Sequence, residues 1–162
     1  MVFTMTINDS LPSAGLLRRM GALLYDGLIV IAIEMIAAGI IIAILHALMA
    51  AGLFAVGNYT DVSDFLTNHP IWSPVYTFYL ASVWVYFFVY FWTKAGQTLG
   101  MRAWKLHLCS QDGALITKKQ ALIRITVSLF GLANLIVPLH PKKRGWHDML
   151  AGTQVVVLPK AN

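Results

Sequence analysis

The chain has 162 residues, of which 58% are hydrophobic and 12% are charged, whereas an average soluble protein has about 25% charged residues. A chain this small and apolar has too few polar residues to cover a soluble globule, so we expect much of its surface to face lipid. The net charge of +5 would suit a nucleic acid, but cytoplasmic loops of membrane proteins collect the same excess of Lys and Arg, so we expect no nucleic-acid partner.

The amino-terminal part of the chain predicts a polar tail followed by a membrane-spanning helix. Residues 1–17 are polar and precede Arg18 and Arg19, which indicates a cytoplasmic tail before a membrane domain over 18–159. Residues 20–50 are almost wholly apolar and, at ~1.5 Å per residue, long enough to cross a hydrocarbon core of ~30 Å. The apolar region of a signal peptide has roughly 7 to 15 residues, so we expect this helix to remain in the mature protein.

The middle of the chain predicts an exterior loop, a second spanning helix and a small β element. Residues 53–73 contain acids but no Lys or Arg and indicate the loop, whereas 75–92 lack charge, are rich in aromatic residues and predict the helix. The basic segment that follows is expected to be cytoplasmic. Its alternating pattern and Asp-Gly turn predict a β-hairpin over 105–116, which a strand over 153–158 would join if both lie inside.

The third apolar stretch, residues 120–139, has two interpretations. Arg124 lies near its start, and the 15 or so residues after it rise only about 22 Å, short of a full crossing unless Arg124 snorkels. If the stretch bends at Gly131 or Pro138 and returns to its own side, all 12 basic residues lie inside, as the positive-inside rule favours. We therefore predict an α-helical membrane protein with two spanning helices and a third short or re-entrant hydrophobic helix; a tilted third span is the alternative.

Three motifs then carry a resemblance to a known family. They are RRMGALLYD at 18–26, GQTLGMR at 96–102 before the predicted strand, and RGWHDMLAGT at 144–153. In this order they resemble the RDD family of small prokaryotic membrane proteins, which is named for an arginine and an aspartate at the start of the first helix and a second aspartate near the domain end. The family's pattern matches Arg19, Asp26 and Asp148. His147 departs from it, since many members have Gly there, and Glu34 has no counterpart.

The resemblance implies a fold and a location more than a reaction. It implies a multi-pass protein of the bacterial inner membrane, and the charge pattern predicts a cytoplasmic amino terminus. Transport, including sodium and proton exchange, has been suggested for the family. The motifs contain no nucleophile elbow or phosphate-binding loop, so we expect neither enzyme activity nor a cofactor.

Acidic residues in the first helix are the main candidate functional residues. An acid in an apolar helix is unfavourable unless it is paired, neutral or facing a polar cavity. Arg19 and Asp26 are seven residues apart and share a helix face, so they are predicted to join one network. Asp26 is then either a structural residue, which accepts hydrogen bonds or pairs with Arg124, Arg102 or the glycine-containing loop over 96–100, or a site that binds a cation or proton.

The same two alternatives, a structural role and an ion or proton site, apply to Glu34, which we expect near the bilayer centre. In one, Arg19, Asp26, Glu34 and His46 line a proton or sodium path. In the other, Glu34 is a neutral acid bonded across a helix or subunit interface. Asp148 follows Trp146 and His147 and precedes a glycine-containing loop, so a helix-capping or turn role competes with a catalytic one.

Basic and metal-ligating residues yield weaker candidates. The spacing of His107, Cys109, His140 and His147 resembles no known ligand set, so we expect no metal site. A basic cytoplasmic surface is expected to attract lipid headgroups through Arg102, Lys105, Lys118, Lys119, Lys142, Lys143 and Arg144.

The sequence leaves two functions open. The first is a small ion or solute transporter that works as an oligomer, because two or three helices cannot enclose a path alone. The second is a non-transporting accessory or assembly subunit of a larger membrane complex.

Overall fold

The structure is a computed structural model that describes residues 11–141 and 143–159. It is mostly helical, with six α-helices, one 3-10 helix and two strands in these ranges. In chain order they are α1 (Leu16–Ala50), α2 (Val62–Asn68), α3 (Trp72–Ala95), α4 (Leu99–Ala103), β1 (Leu106–Ser110), α5 (Lys118–Ser128), the 3-10 helix (Leu129–Asn134), α6 (Trp146–Leu150) and β2 (Thr153–Val157).

Two of these helices, α1 and α3, are long and apolar enough to cross a membrane, by length and composition. Both extend beyond the predicted 20–50 and 75–92. The 35 residues of α1 rise about 52 Å, well beyond a hydrocarbon core of ~30 Å. Large apolar side chains such as Met35 and Phe78 are exposed on them, which is the arrangement that lipid or a partner helix would cover.

The described chain forms two compact units, and the first contains the described parts of Met1–Leu28 and Phe87–Asn162. At its centre β1 and β2 pair antiparallel, from Leu106 opposite Val157 to Ser110 opposite Thr153. Leu106 and Leu108 of β1 and Val155 of β2 belong to a hydrophobic core that also comprises Ala14, Ala22, Met101, Ile116 and Ala121.

The predicted hairpin over 105–116 forms its turn but not its return strand. The amide of Ser110 donates to the Ala114 carbonyl at 2.8 Å and the amide of Ala114 to the Asp112 carboxylate at 3.2 Å, so the Asp-Gly turn is present. Beyond it the chain leads to α5, and β1 pairs with β2 instead. A valine-rich strand supplies more apolar surface to this core than the short segment after the turn does.

The end of the predicted tail is attached to this sheet. The amide of Ala14 donates to the Val155 carbonyl and that of Val157 to the Pro12 carbonyl, each at 2.9 Å, and Ser13 forms a bridge with Val156. Residues 1–10, the rest of the predicted tail, lie outside the described ranges.

The third apolar stretch is not one helix over 120–139. It is the 11-residue α5, the six-residue 3-10 helix and then turns. The hydroxyl of Ser128 accepts from the amide of Gly131 at 3.2 Å, and Gly131 has a φ of +97°, which agrees with the bend predicted there. Eleven residues of α-helix rise only about 16 Å, and α5 is not among the helices long enough to span.

The second unit, Ile29–Tyr86, contains a folded connection where the sequence predicted a loose loop. Asp61 caps α2 by accepting from the amide of Asp64 at 2.8 Å. The helix buries Val62, Phe65 and Leu66 against aliphatic and aromatic neighbours. A seven-residue amphipathic helix was missed because its apolar spacing is too short to stand out from a loop.

In the first unit α4 lies against α1 at a position where only glycine fits. A Cβ atom added to Gly100 would collide with the carbonyl oxygen of Ala22 and lie 2.8 Å from the carboxyl carbon of Asp26. Backbone atoms cannot move away as the end of a flexible side chain can. Gly100 therefore sets how closely the two helices approach.

We predict that Gly100→Ala destabilises the protein, because the new methyl group forces α4 away from α1. Gly27→Ala, in α1 itself, is the matched control, since a Cβ there meets nothing within 4 Å and Ala favours helix by about 0.5–1 kcal/mol. Thermal unfolding of the detergent-solubilised protein measures both. A Gly100→Ala variant as stable as the control would contradict the close packing.

Candidate functional site

A buried ion cluster in the first unit is centred on Asp148, whose side chain is fully buried. Its Oδ2 accepts from Nη1 of Arg19 at 2.6 Å and from the Gly145 amide at 2.9 Å. Its Oδ1 accepts from Nη1 of Arg124 and lies 3.3 Å from Nε2 of His147. Both carboxylate oxygens are therefore occupied, and the bond from Gly145 gives Asp148 the helix-capping role that its sequence position suggested.

Arg19 uses its other donors to join several segments. Its Nε donates to the Ala14 carbonyl and its Nη2 to the Lys143 carbonyl, each at 3.0 Å, and Nη1 lies 3.4 Å from Oδ1 of Asn134. The planar guanidinium has five donors in a fixed geometry. One side chain thus connects α1 to the chain before it, to the 3-10 helix and to the segment before α6.

Arg124 is also buried, so it does not snorkel as the alternative of a tilted third span would require. Its Nη1 donates to Oγ1 of Thr153 at 2.5 Å as well as to Asp148, and its guanidinium lies 5.3 Å from the centre of the Trp92 ring, within cation–π range. The Nε atom is buried without a hydrogen-bond partner among the described residues. The sequence offered Arg124 as a partner for Asp26, but it pairs with Asp148 because α5 packs against α6, which sequence spacing does not show.

The charges in this cluster do not cancel. Burial lowers the pKa of His147 to about 3, with Arg124 acting in the same direction, so the imidazole is neutral near pH 7. Burial alone would raise the pKa of Asp148, but Arg124 and Arg19 outweigh it and hold the pKa below its usual range. Two guanidinium groups facing one carboxylate leave a net positive charge, which the Trp92 ring and the carbonyls around Arg19 partly offset.

Asp26 belongs to a separate hydrogen-bond cluster in the same unit. Its Oδ2 accepts from the Thr98 hydroxyl at 2.5 Å and its Oδ1 from the Gly100 amide at 2.8 Å. The Thr98 hydroxyl in turn accepts from the Met101 amide at 3.2 Å and caps α4. Asp26 thus holds the start of α4, which is the structural alternative in which it bonds to the glycine-containing loop.

The single network predicted for Arg19 and Asp26 is not formed. Seven residues separate them by about 10 Å along the helix axis, and each finds nearer partners, Asp148 for Arg19 and Thr98 for Asp26. Sharing a helix face brings side chains near one another only at spacings of three or four residues.

Glu34 lies in the second unit. Its Oε2 is buried and has no hydrogen-bond partner among the described residues. The Tyr79 hydroxyl of α3 donates to the Ala37 carbonyl of α1 at 3.4 Å. His46 makes a local bond, with Nδ1 2.9 Å from the Ile42 carbonyl.

The remaining candidates are dispersed. Arg102, Lys105, Lys118, Lys119 and Lys143 are exposed, Arg144 is partly buried with Nη2 3.5 Å from Oε1 of Gln154, and Lys142 lies outside the described ranges. Cys109 is buried in β1, where burial raises the pKa of its thiol. Within the described ranges no three His, Cys, Asp or Glu side chains come together as a metal site would require.

Comparison with known proteins identifies the family. Residues 13–152 match the family model described as RDD family, which is well over half of the chain. The chain belongs to the RDD family. Together with the two apolar helices, this membership indicates a membrane protein. No curated protein and no solved structure matches the chain.

The structure shows how this RDD chain uses the three residues of the motif. The arginine, Arg19, pairs with the second aspartate, Asp148, while the first aspartate, Asp26, bonds to the start of α4. The partners that the motif does not name are Arg124, Thr98 and Gly100. Thr98 and Gly100 lie in the GQTLGMR segment, so their signal in the sequence was the resemblance itself.

We predict that Asp148→Asn destabilises the protein by about 3–5 kcal/mol, because it leaves two buried guanidinium groups without a counter-charge. Asp112→Asn is the matched control, since Asp112 is exposed on the turn after β1. Unfolding of the purified protein in mixed detergent micelles at pH 7 measures the difference. Equal stability of the two variants would show that Asp148 is not the centre of the cluster.

We also predict a pH dependence of stability that depends on His147. The folded protein keeps this imidazole neutral down to about pH 3, whereas the unfolded chain binds a proton below about pH 6.5. The unfolded state therefore holds more protons between these values, and stability falls as the pH falls through this window. The His147→Gln variant should show a smaller change of unfolding free energy with pH. Part of the change should remain, because burial also lowers the pKa of His107. An unchanged slope would contradict the prediction.

Proposed function

We propose that this protein is a small oligomeric transporter of protons, or of a cation or solute linked to protons, with Glu34 as its titratable group. The observation that carries the proposal is the buried Oε2 of Glu34, which has no partner among the described residues. An ionisable group in a helix of this apolarity is unfavourable without a partner, a cation or a proton. Glu34 is thus open to a ligand in a way that the motif acids are not.

The motif acids have structural roles that leave them little capacity to bind a transported ion. Both oxygens of Asp148 accept from charged or backbone donors, and both oxygens of Asp26 accept hydrogen bonds. Asp148 is already paired with two guanidinium groups, and Asp26 is buried between α1 and the start of α4, so neither carboxylate is accessible to a further cation. We therefore separate a framework, held by Arg19, Asp26 and Asp148, from the working group, Glu34.

Self-association is part of the proposal, because two spanning helices cannot enclose a path alone. The exposed surface of α1 offers a face for it: Gly39 and Ala43 are exposed, and a Cβ on Gly39 would meet nothing within 4 Å. Small residues let helix backbones approach closely in a membrane.

The membrane topology we propose has two spans with both ends on the cytoplasmic side of the bacterial inner membrane. Support comes from the pairing of Ser110 with Thr153, since the third apolar stretch lies between them and so leaves from and returns to one sheet. The exposed lysines and arginines of this unit then lie inside, as the positive-inside rule favours, where they contact lipid headgroups.

A second candidate function is that of an accessory subunit of a larger membrane complex. The observation in its favour is the extent of exposed apolar surface on α1 and α3, which a partner protein would cover as well as lipid. In that case Glu34 donates or accepts a hydrogen bond across the interface, as polar residues in membrane helices do.

We predict that Glu34→Gln abolishes proton flux without lowering the amount of folded protein. Glutamine keeps the size and hydrogen-bonding ability of glutamate but cannot exchange a proton. The measurement uses proteoliposomes of the full chain containing a pH-sensitive dye, with proton, sodium or potassium gradients applied. Asp112→Asn, which removes an exposed acid, should transport as the unaltered protein does.

Purification in a mild detergent distinguishes the second function. A homo-oligomer on a native gel supports the transporter, and a stoichiometric complex with other proteins, identified by mass spectrometry, overturns it in favour of the accessory role. Flux in the Glu34→Gln variant equal to that of the unaltered protein would also overturn the assignment of Glu34.

A further inference from the structure

A groove of about 660 Å³ opens in the first unit where α1 begins. One wall is formed by residues 15–18 and the other by residues 137–141 with Lys143. Its volume lies within the range of ligand pockets, roughly 300–1,000 Å³. None of the residues that give the motif its name lines it.

The groove is electropositive. Arg18 and Lys143 line it, and its lining includes no acid. The amino-terminal end of α1 opens into it, and the first turn of that helix has no acidic residue, so its partial positive charge is not neutralised locally. Two cations and a helix amino terminus facing one groove are complementary to a phosphate group.

The buried ion cluster fixes the position of Lys143. Its carbonyl accepts from Nη2 of Arg19 at 3.0 Å, and its amide donates to the carbonyl of His140 at 2.8 Å. The backbone on which this cation stands is thus tied to buried Arg19, which itself follows Arg18 in α1. The two walls of the groove are held together by bonds behind it.

Apolar side chains border the same groove. Leu17 on one wall is 84% exposed and Leu139 on the other is 83% exposed, and such exposure is unfavourable in water. Because α1 is longer than a hydrocarbon core is thick, its first turn reaches the level of the headgroups when the rest of the helix spans. A ligand with a phosphate beside acyl chains matches both features.

We propose that this groove binds the headgroup of one anionic phospholipid, with its phosphate between Arg18 and Lys143 and its acyl chains against Leu17 and Leu139. This is a discrete site, distinct from the general attraction of lipid by the other exposed lysines and arginines of the unit. It does not depend on transport. The bound lipid attaches the start of α1 and the turn after the 3-10 helix to one leaflet.

Native mass spectrometry of the full-length protein tests the site. We expect one tightly retained phosphatidylglycerol and weaker retention of phosphatidylcholine. Arg18→Gln with Lys143→Gln should weaken phosphatidylglycerol binding about 25-fold, since each charge near a membrane surface contributes roughly fivefold. Lys118→Gln with Lys119→Gln removes the same charge from exposed positions on α5 and should have little effect.

Three results would overturn the lipid site or part of it. Equal losses in the two double variants would overturn the proposal in favour of diffuse attraction. Displacement of the lipid by millimolar inorganic phosphate would overturn it in favour of a free-phosphate site. Leu17→Gln with Leu139→Gln leaves both cations and should weaken lipid binding but not phosphate binding; unchanged retention of phosphatidylglycerol would refute the acyl contacts.

Discussion

The first unit depends on one carboxylate between two buried guanidinium groups. Asp148, in the first turn of α6, pairs with Arg19 from α1 and with Arg124 from α5. Buried ions are unfavourable until their partners are in place, so this contact strongly favours the one arrangement in which the three helices meet. Ala14 of the attached segment and Thr153 of β2 accept hydrogen bonds from the two guanidinium groups. Specificity of packing, more than gain in free energy, is what such a cluster supplies.

Asp26 is a second buried carboxylate that holds two segments together, and its hydrogen-bond donors among the described residues are neutral. Its two oxygens accept a hydroxyl and an amide from the segment that begins α4, and Gly100 allows the approach because it has no side chain. The RDD motif therefore describes two separate contacts that hold the chain between α3 and β1, and the chain around α6, to the start of α1. This framework supports a long apolar helix and leaves Glu34 as the acid on which the proposed function rests.

The sequence predicted some elements closely and others poorly. Long apolar runs indicated the two long apolar helices, the alternating residues 105–109 indicated β1, and the short valine-rich run before Pro159 indicated β2, because these signals are local. The return strand of the hairpin and the loose loop over 53–73 were wrong because short segments take their structure from what they pack against. The motif identified Arg19 and Asp26 as important residues. Their seven-residue spacing wrongly predicted one shared network, since helix spacing gives no information about partners from distant segments.

Composition and patterning alone determined that this chain has two helices suited to a membrane, that its charges are concentrated outside them, and that it resembles the RDD family. Only the tertiary structure decided that Arg19 pairs with Asp148, that Arg124 is buried, and that Ser110 and Thr153 are neighbours. The physical reason is the separation along the chain over which each interaction acts. Apolar periodicity is set by residues three or four apart, whereas a buried ion pair joins residues more than a hundred positions apart whose proximity exists only once the helices have packed.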